Sequence, residues 1–145
     1  MTSQERLQLI VENEPKLINQ FNNIDYGFAV LQLKDIDSDL TDAIHFRGYD
    51  EVTKIIGREL KRSDYHILAV EEFPMELCAD ILSGHLGVAN YVFYKYNGPY
   101  RPLVSEGYYG TSVSVSDIIL VKKNGVVKTF YVESIGFKEL DKFLS

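Results

Sequence analysis

Apolar residues near the N-terminus recur at helical spacing: Leu7, Ile10, Val11, Leu17, Ile18 and Phe21, behind a Ser3 suited to cap a helix. Pro15 lies inside that stripe. Because proline removes an amide donor and disfavours helical backbone before it, the pattern predicts a kink or a break near Glu14, with both pieces covering one surface. From Tyr26 to Leu33 the helical period gives way to a short apolar run, "YGFAVLQL", which predicts a buried strand. "AIHF" reads as a second, short strand. "YDEVTKIIGREL" returns to helical spacing at Val52, Ile55, Ile56 and Leu60, with Asp50 and Glu51 where a helix dipole favours acids. "YHILAVEEF" predicts a strand, and "PMELCADILSGHL" a helix opened by Pro74 and ended near Gly84 or Gly87.

The segment from Val88 to Tyr109 has apolar or aromatic residues at nearly every position, so its period fits helix and strand alike until Asn97-Gly98-Pro99 breaks it. Two β-rich runs, "SDIILVKK" and "VVKTFYVES", flank Asn124-Gly125, the dipeptide that supplies two positive φ angles to a type I′ hairpin. "GFKELDKFL" places Phe137, Leu140 and Phe143 or Leu144 on one helical face and predicts a short closing helix. Together the elements predict a single α+β domain. It has a mostly antiparallel sheet of four to six strands, helices packed on one face, and a C-terminal Asn-Gly hairpin. Residues 1–25 read as an N-terminal helical extension and 26–145 as the domain proper.

With 145 residues, 46% of them hydrophobic, the chain can bury a normal core without disulfides or metal. The single cysteine, Cys78, excludes an intramolecular disulfide and reads as a buried thiol. The N-terminal residues do not read as a signal peptide, and no apolar run approaches a membrane span, so a soluble, intracellular protein is expected. Net charge is -6, and it is uneven: the first sixty residues hold eleven acids against six bases, the rest ten against nine.

Three clusters are candidates for chemistry. Asp35, Asp37, Asp39 and Asp42 alternate like a calcium loop, but an EF-hand needs a glycine at its sixth position and a glutamate at its twelfth, so a solvated turn is the ordinary reading. Six tyrosines, Tyr91, Tyr94, Tyr96, Tyr100, Tyr108 and Tyr109, fall in one stretch with Phe93, Lys95 and Arg101. Exposed, they would stack on unpaired bases or anchor a protein interface; buried, they would be core with hydroxyls at the surface. Ser112, Ser114 and Ser116 form a polar row if extended, while Ser114 and Asp117 fit a cap or Asx-type turn. Serine catalysis would need a base, and His45, His66 and His85 come with no nucleophile motif. Lys122, Lys123 and Lys128 read as charges that guard an exposed strand edge. No cofactor and no metal are expected.

The segment "GYYGTSVSVSDIILVKKNGVVKTFYVESIGFKEL" resembles the YodL-like domain family. The match runs through Gly110, Ser112, Ser114, Val115, Ser116, Asp117, Asn124, Gly125, Tyr131, Val132, Glu133, Ser134, Gly136 and Phe137, with looser similarity back through "YHILAVEEF" and "HFRGYDEV" to "FAVLQLKDI". The resemblance implies a passenger of phages and conjugative elements in Gram-positive bacteria, and it carries over no catalytic residues. From that context we expect a counter-defence protein that binds and inhibits a bacterial defence nuclease without catalysis of its own. Its most specific form is an anti-CRISPR protein acting on Cas9 or its guide-RNA complex. The expected partner-binding residues are Asp35, Asp37, Asp39, Asp42, Asp50 and Glu51, which would enter a basic channel, with Tyr94, Tyr96, Tyr100 and Arg101 as anchors. Ser112, Ser114, Ser116, Asp117, Asn124, Gly125 and Gly136 are expected to be structural. The alternative is a single-stranded nucleic-acid-binding or nucleic-acid-processing module.

Overall fold

The computed structural model describes residues 1–34, 42–73, 84–99 and 101–145. Helix α1 (Ser3–Asn23) starts at an N-cap supplied by Thr2, whose hydroxyl accepts from the Glu5 amide at 3.1 Å, one residue earlier than Ser3. It runs on through Pro15 without the expected break. The chain then forms β1 (Gly27–Leu33), α2 (Tyr49–Ile56), β2 (Tyr65–Glu72), α3 (Gly84–Tyr96), β3 (Ile118–Lys123), β4 (Val126–Val132) and β5 (Phe137–Glu139). The five strands make one antiparallel sheet in the order β2-β1-β3-β4-β5, giving an α+β domain.

Alternation along the central strands sends side chains to both faces, and both faces are buried. On one, Phe28, Val30, Ile119, Val121, Phe130 and Val132 meet Val88, Val92 and Tyr96 of α3. On the other, Ala29, Leu31, Ile118, Leu120 and Tyr131 meet Tyr49 and Val52 of α2 together with Phe21 of α1. Helices therefore cover two faces, where one was expected. The near-continuous apolar runs of β1 and β3 carry this signal, since a strand buried on one side only alternates. A bulge skips Leu68 between the pairs Val30 with Ala69 and Leu31 with Ile67, so that Leu68 and Ala69 both pack on the α3 side.

Strand β2 is an edge, and α1 lies along it. Glu14 accepts from the Ile67 amide at 2.9 Å and meets His66 Nδ1 at 3.1 Å, and Gln20 Nε2 donates to the Val70 carbonyl at 3.5 Å. Side chains of a helix thus occupy backbone groups that would otherwise template another strand. Two of the lysines expected to guard an edge sit elsewhere: Lys122 and Lys123 are on β3, which is interior, and Lys122 is buried, whereas Lys128 is on β4 just before the stretch that β5 covers.

Three further expectations are corrected. Residues 42–44 are helical and His45-Phe46 form a turn, so "AIHF" is not a strand. The C-terminal "GFKEL" enters β5 in place of a helix. The turn at Gly136, whose φ is 72°, returns Phe137 to pair with Val132, and Leu140 and Phe143 still reach the core. Helix α3 begins at Gly84, where a helix end was expected, and passes through Gly87. It resolves the ambiguous Val88 segment as helix up to Tyr96. The helix expected from Pro74, with its Cys78, lies outside the described residues. Asn124 and Gly125 turn between β3 and β4 with φ of 52° and 77°, the left-handed pair that lets Lys123 face Val126.

Candidate functional site

The segments that carry the family resemblance are far apart in sequence, and the sheet brings them together at one end. The chain leaving β4 places Glu133 and Ser134 beside Val115, which precedes β3, and beside the turn that leads into α2. An open cleft of about 640 Å³ forms there, lined by Asp42, His45, Phe46, Arg47, Asp50, Glu51 and Glu133 among others.

Buried tyrosines fasten its floor. The Tyr131 hydroxyl donates to the Arg47 carbonyl at 2.7 Å, and the Tyr65 hydroxyl to the Ser116 carbonyl at 2.8 Å. Burial pushes both phenols well above their ordinary pKa, so they remain donors across the physiological range. Glu133 caps α2 from outside. Its carboxylate accepts from the Tyr49 amide at 3.2 Å, since Gly48 at the N-cap has no side chain to do so. A Cβ on Gly48 would lie 2.8 Å from the Glu133 Oε2 atom, so the glycine makes room for this cap.

Phe46 stands out. Its φ is 65°, a left-handed backbone that a bulky residue occupies at a cost, yet its side chain is 63% exposed. The Phe46 amide donates to Ser116 Oγ at 3.4 Å, and the His45 ring meets the Phe46 ring edge-on. Burial lowers the His45 pKa below its usual value against the opposing pull of Asp42, which leaves the imidazole neutral at pH 7. Arg47 donates to Glu51 at 3.0 Å, and Lys138 pairs with Asp50 at 3.6 Å. The four carboxylates Asp42, Asp50, Glu51 and Glu133 outnumber these cations. The cleft therefore presents negative charge around one solvent-facing aromatic ring.

Of the residues expected to bind a partner, Asp42, Asp50 and Glu51 converge on this cleft, while Asp35, Asp37 and Asp39 lie outside the described residues. The tyrosine group is split by helical geometry. Tyr94 is 66% exposed on α3, but Tyr96 is in the core, its hydroxyl bonded to Glu71 beside Lys95. Tyr96 is thus a structural residue and not a surface anchor. Tyr108 is also core, Tyr91 and Tyr109 are partly buried, and Tyr100 is outside the described residues. Arg101 is exposed and donates to Ser112 Oγ at 2.9 Å.

The serine row is not a strand face. Residues 111–117 form a loop in which the Ser114 amide donates to Asp117 Oδ2 at 2.9 Å and the Asp117 amide returns to the Ser114 carbonyl at 3.1 Å. Gln32 on β1 donates to the same carboxylate oxygen at 3.1 Å and exchanges two bonds with Thr111. Asp117 is buried, and burial pushes its pKa up to about 7 against the two donors. Ser116 is also buried, with φ of 85°. Among the described residues no group of three His, Cys, Asp or Glu side chains is placed to hold a metal ion, and no helix is long and apolar enough to cross a membrane. Phe46 and Glu133 escaped the sequence-based list of binding residues. Glu133 was visible as part of the motif, whereas nothing in "AIHFRG" announces a left-handed phenylalanine.

An antiparallel α+β domain whose motif residues brace one acidic cleft is the class that the fold defines. The YodL-like domain family matches residues 27–143, from the first residue of β1 to the buried Phe143, and the chain belongs to that family. No curated protein and no solved structure matches the chain.

Proposed function

We propose that this YodL-like protein is a mobile-element counter-defence protein. It acts in the cytoplasm of a bacterial host by binding a defence nuclease, in its most specific form a Cas9-type enzyme, and it catalyses nothing itself. The observation that carries the reading is Phe46: an aromatic side chain held in strained backbone and turned to solvent among four carboxylates. Strain of this kind persists where surrounding contacts over-determine it, here the Phe46 amide donating to Ser116 Oγ and the Tyr131 hydroxyl donating to the adjacent Arg47 carbonyl. Negative charge around an aromatic anchor suits a basic surface that normally holds phosphate. The nucleic-acid alternative loses support, because Tyr96 and Tyr108 are core and Lys95 is engaged by Glu71.

The test is retention of a guide-loaded Cas9-type nuclease on the immobilised protein after digestion of free nucleic acid, together with a cleavage assay. Stoichiometric retention and loss of cleavage are expected, both weakened by Asp50→Lys with Glu51→Lys. Recovery of nucleic acid alone, released by salt, would overturn the proposal.

A further inference from the structure

A second pocket, remote from the acidic cleft, opens where the C-terminal end of α1 meets β2, β3 and β4. It has a volume of about 370 Å³, at the lower end of the range for small-molecule sites. Its walls are Phe21, Ile67, Leu120 and Val127, and Ile18 and Leu144, 40% and 47% exposed, stand at its mouth. The charged side chains among its lining residues are both cationic, Lys122 and Arg62. We propose that this pocket binds a small amphiphilic carboxylate, with the aliphatic body between Phe21, Leu120 and Val127 and the carboxylate against Lys122 and Arg62.

The argument starts from Lys122. Its side chain is 8% exposed, and a buried charge is ordinarily paired, because leaving water costs several kcal/mol. The other buried ions follow that rule. Asp64 is gripped by Arg58 at 2.8 Å through both oxygens, and burial drives Asp117 toward its neutral form. Lys122 enters no ion pair among the described residues. Its Nζ donates to the Phe21 carbonyl at 2.6 Å and lies 4.6 Å from the Phe21 ring centre. That carbonyl belongs to the last turn of α1, which has no basic residue of its own. A helix terminus offers about half an elementary charge, so the contact places the ammonium without neutralising it. An ammonium has three N–H bonds, and one is accounted for here.

Arg62 is half-buried and donates from Nη1 to the Tyr65 carbonyl at 2.8 Å. Glu14 is the acid whose field it feels, but the Glu14 carboxylate is held by the Ile67 amide and His66. Two cations without carboxylate partners at an apolar pocket are complementary to an anionic head on an apolar body. A fully polar anion would leave the walls wet, and a neutral hydrocarbon would leave Lys122 as it is.

The probe is decanoate, titrated into the full chain and followed through backbone amide NMR signals. Saturable shifts confined to Phe21, Leu120, Lys122 and Val127 are expected. Lys122→Met, which keeps the aliphatic stem and removes the charge, weakens binding by at least about tenfold, and decanol binds at least about tenfold more weakly than decanoate. Should Lys122→Met fail to fold, Arg62→Gln, at a more exposed position, gives the same readout. Absence of saturable shifts, or equal affinity for decanol and decanoate, would overturn the proposal.

Discussion

Asp117 offers a sharp test of how the loop before β3 is held. Its carboxylate oxygen Oδ2 accepts from the Ser114 amide and from Gln32, and the group is buried among the phenols of Tyr65, Tyr108 and Tyr131, all neutral below pH 9 because burial raises them. An aspartate in an unfolded chain titrates near 3.9, whereas Asp117 in the folded protein titrates at about 7. Between these values the folded protein keeps a proton that the unfolded chain has released, so stability falls as pH rises through the window. At about 1.4 kcal/mol per pH unit the loss reaches about 4 kcal/mol above pH 7. Asp117→Asn keeps an oxygen for both donors and removes the ionisation. Thermal unfolding of both proteins should be followed by circular dichroism from pH 5 to 8. About 1.5 kcal/mol of the parent's loss is already present at pH 5, so the variant should gain on the parent with each step from pH 5 to about pH 7 and hold its lead unchanged above that. His45, whose pKa burial lowers, and Asp64, whose pKa Arg58 holds down despite burial, lose stability in the opposite direction as pH falls. Both are common to the two proteins and cancel in the difference. Parallel curves would refute the reasoning, because they would mean that Asp117 stays charged in the fold without cost.

Phe46→Gly should stabilise the fold by about 1 kcal/mol by relieving the left-handed backbone, while abolishing retention of the nuclease; denaturant melts and the retention assay read the two effects separately. Ser116→Ala loses the hydroxyl that accepts from the Phe46 amide and should cost about 1 kcal/mol or more in chemical denaturation. Ser114→Ala should stay within about 0.5 kcal/mol, because the turn uses the backbone of Ser114 and not its hydroxyl. Asp64→Ala leaves Arg58 without its bidentate partner and the Lys61 amide without an acceptor. We expect a loss of about 2 kcal/mol at pH 7, discounted because Arg58 is partly solvated, and a smaller loss at pH 3, below the ordinary aspartate value of about 3.9, where the unfolded chain gains by taking up a proton that the folded carboxylate beside Arg58 resists.

Strands with a strong apolar run and a turn dipeptide were legible: β1, β2 and the pair joined by Asn124-Gly125 need little beyond their own residues. What misled the reading was local ambiguity resolved at long range. "GFKEL" has helical spacing, yet Gly136 takes a positive φ and the free edge of β4 captures Phe137 as a strand. Pro15 forfeits one helical bond, but α1 is fastened to β2 by Glu14 and Gln20 on either side of it, and the fastening outweighs the local preference. Half of the acidic cleft was visible in Asp42, Asp50 and Glu51. The other half depended on a sheet that sets Glu133 84 positions from its backbone partner Tyr49, a separation no periodicity encodes. The tyrosine group shows the converse: residues close in sequence look like one surface, yet the turn of α3 sends Tyr94 to solvent and Tyr96 to the core.

The strand order also sets a schedule for synthesis. Strand β1 lies between β2 and β3, and although β2 follows it within forty residues, β3 begins only at Ile118. During translation β1 and β2 emerge early and can pair, but the other flank of β1 stays open until most of the chain has left the ribosome. Until then Phe28 and Val30 have no neighbours from β3, and the nascent sheet exposes its most apolar strand. The β3–β4 hairpin, nucleated by its own two-residue turn, is the local unit able to end that interval quickly. Mutations that slow this turn would first appear as poor yield and aggregation during expression, before any change in the equilibrium stability of the finished protein.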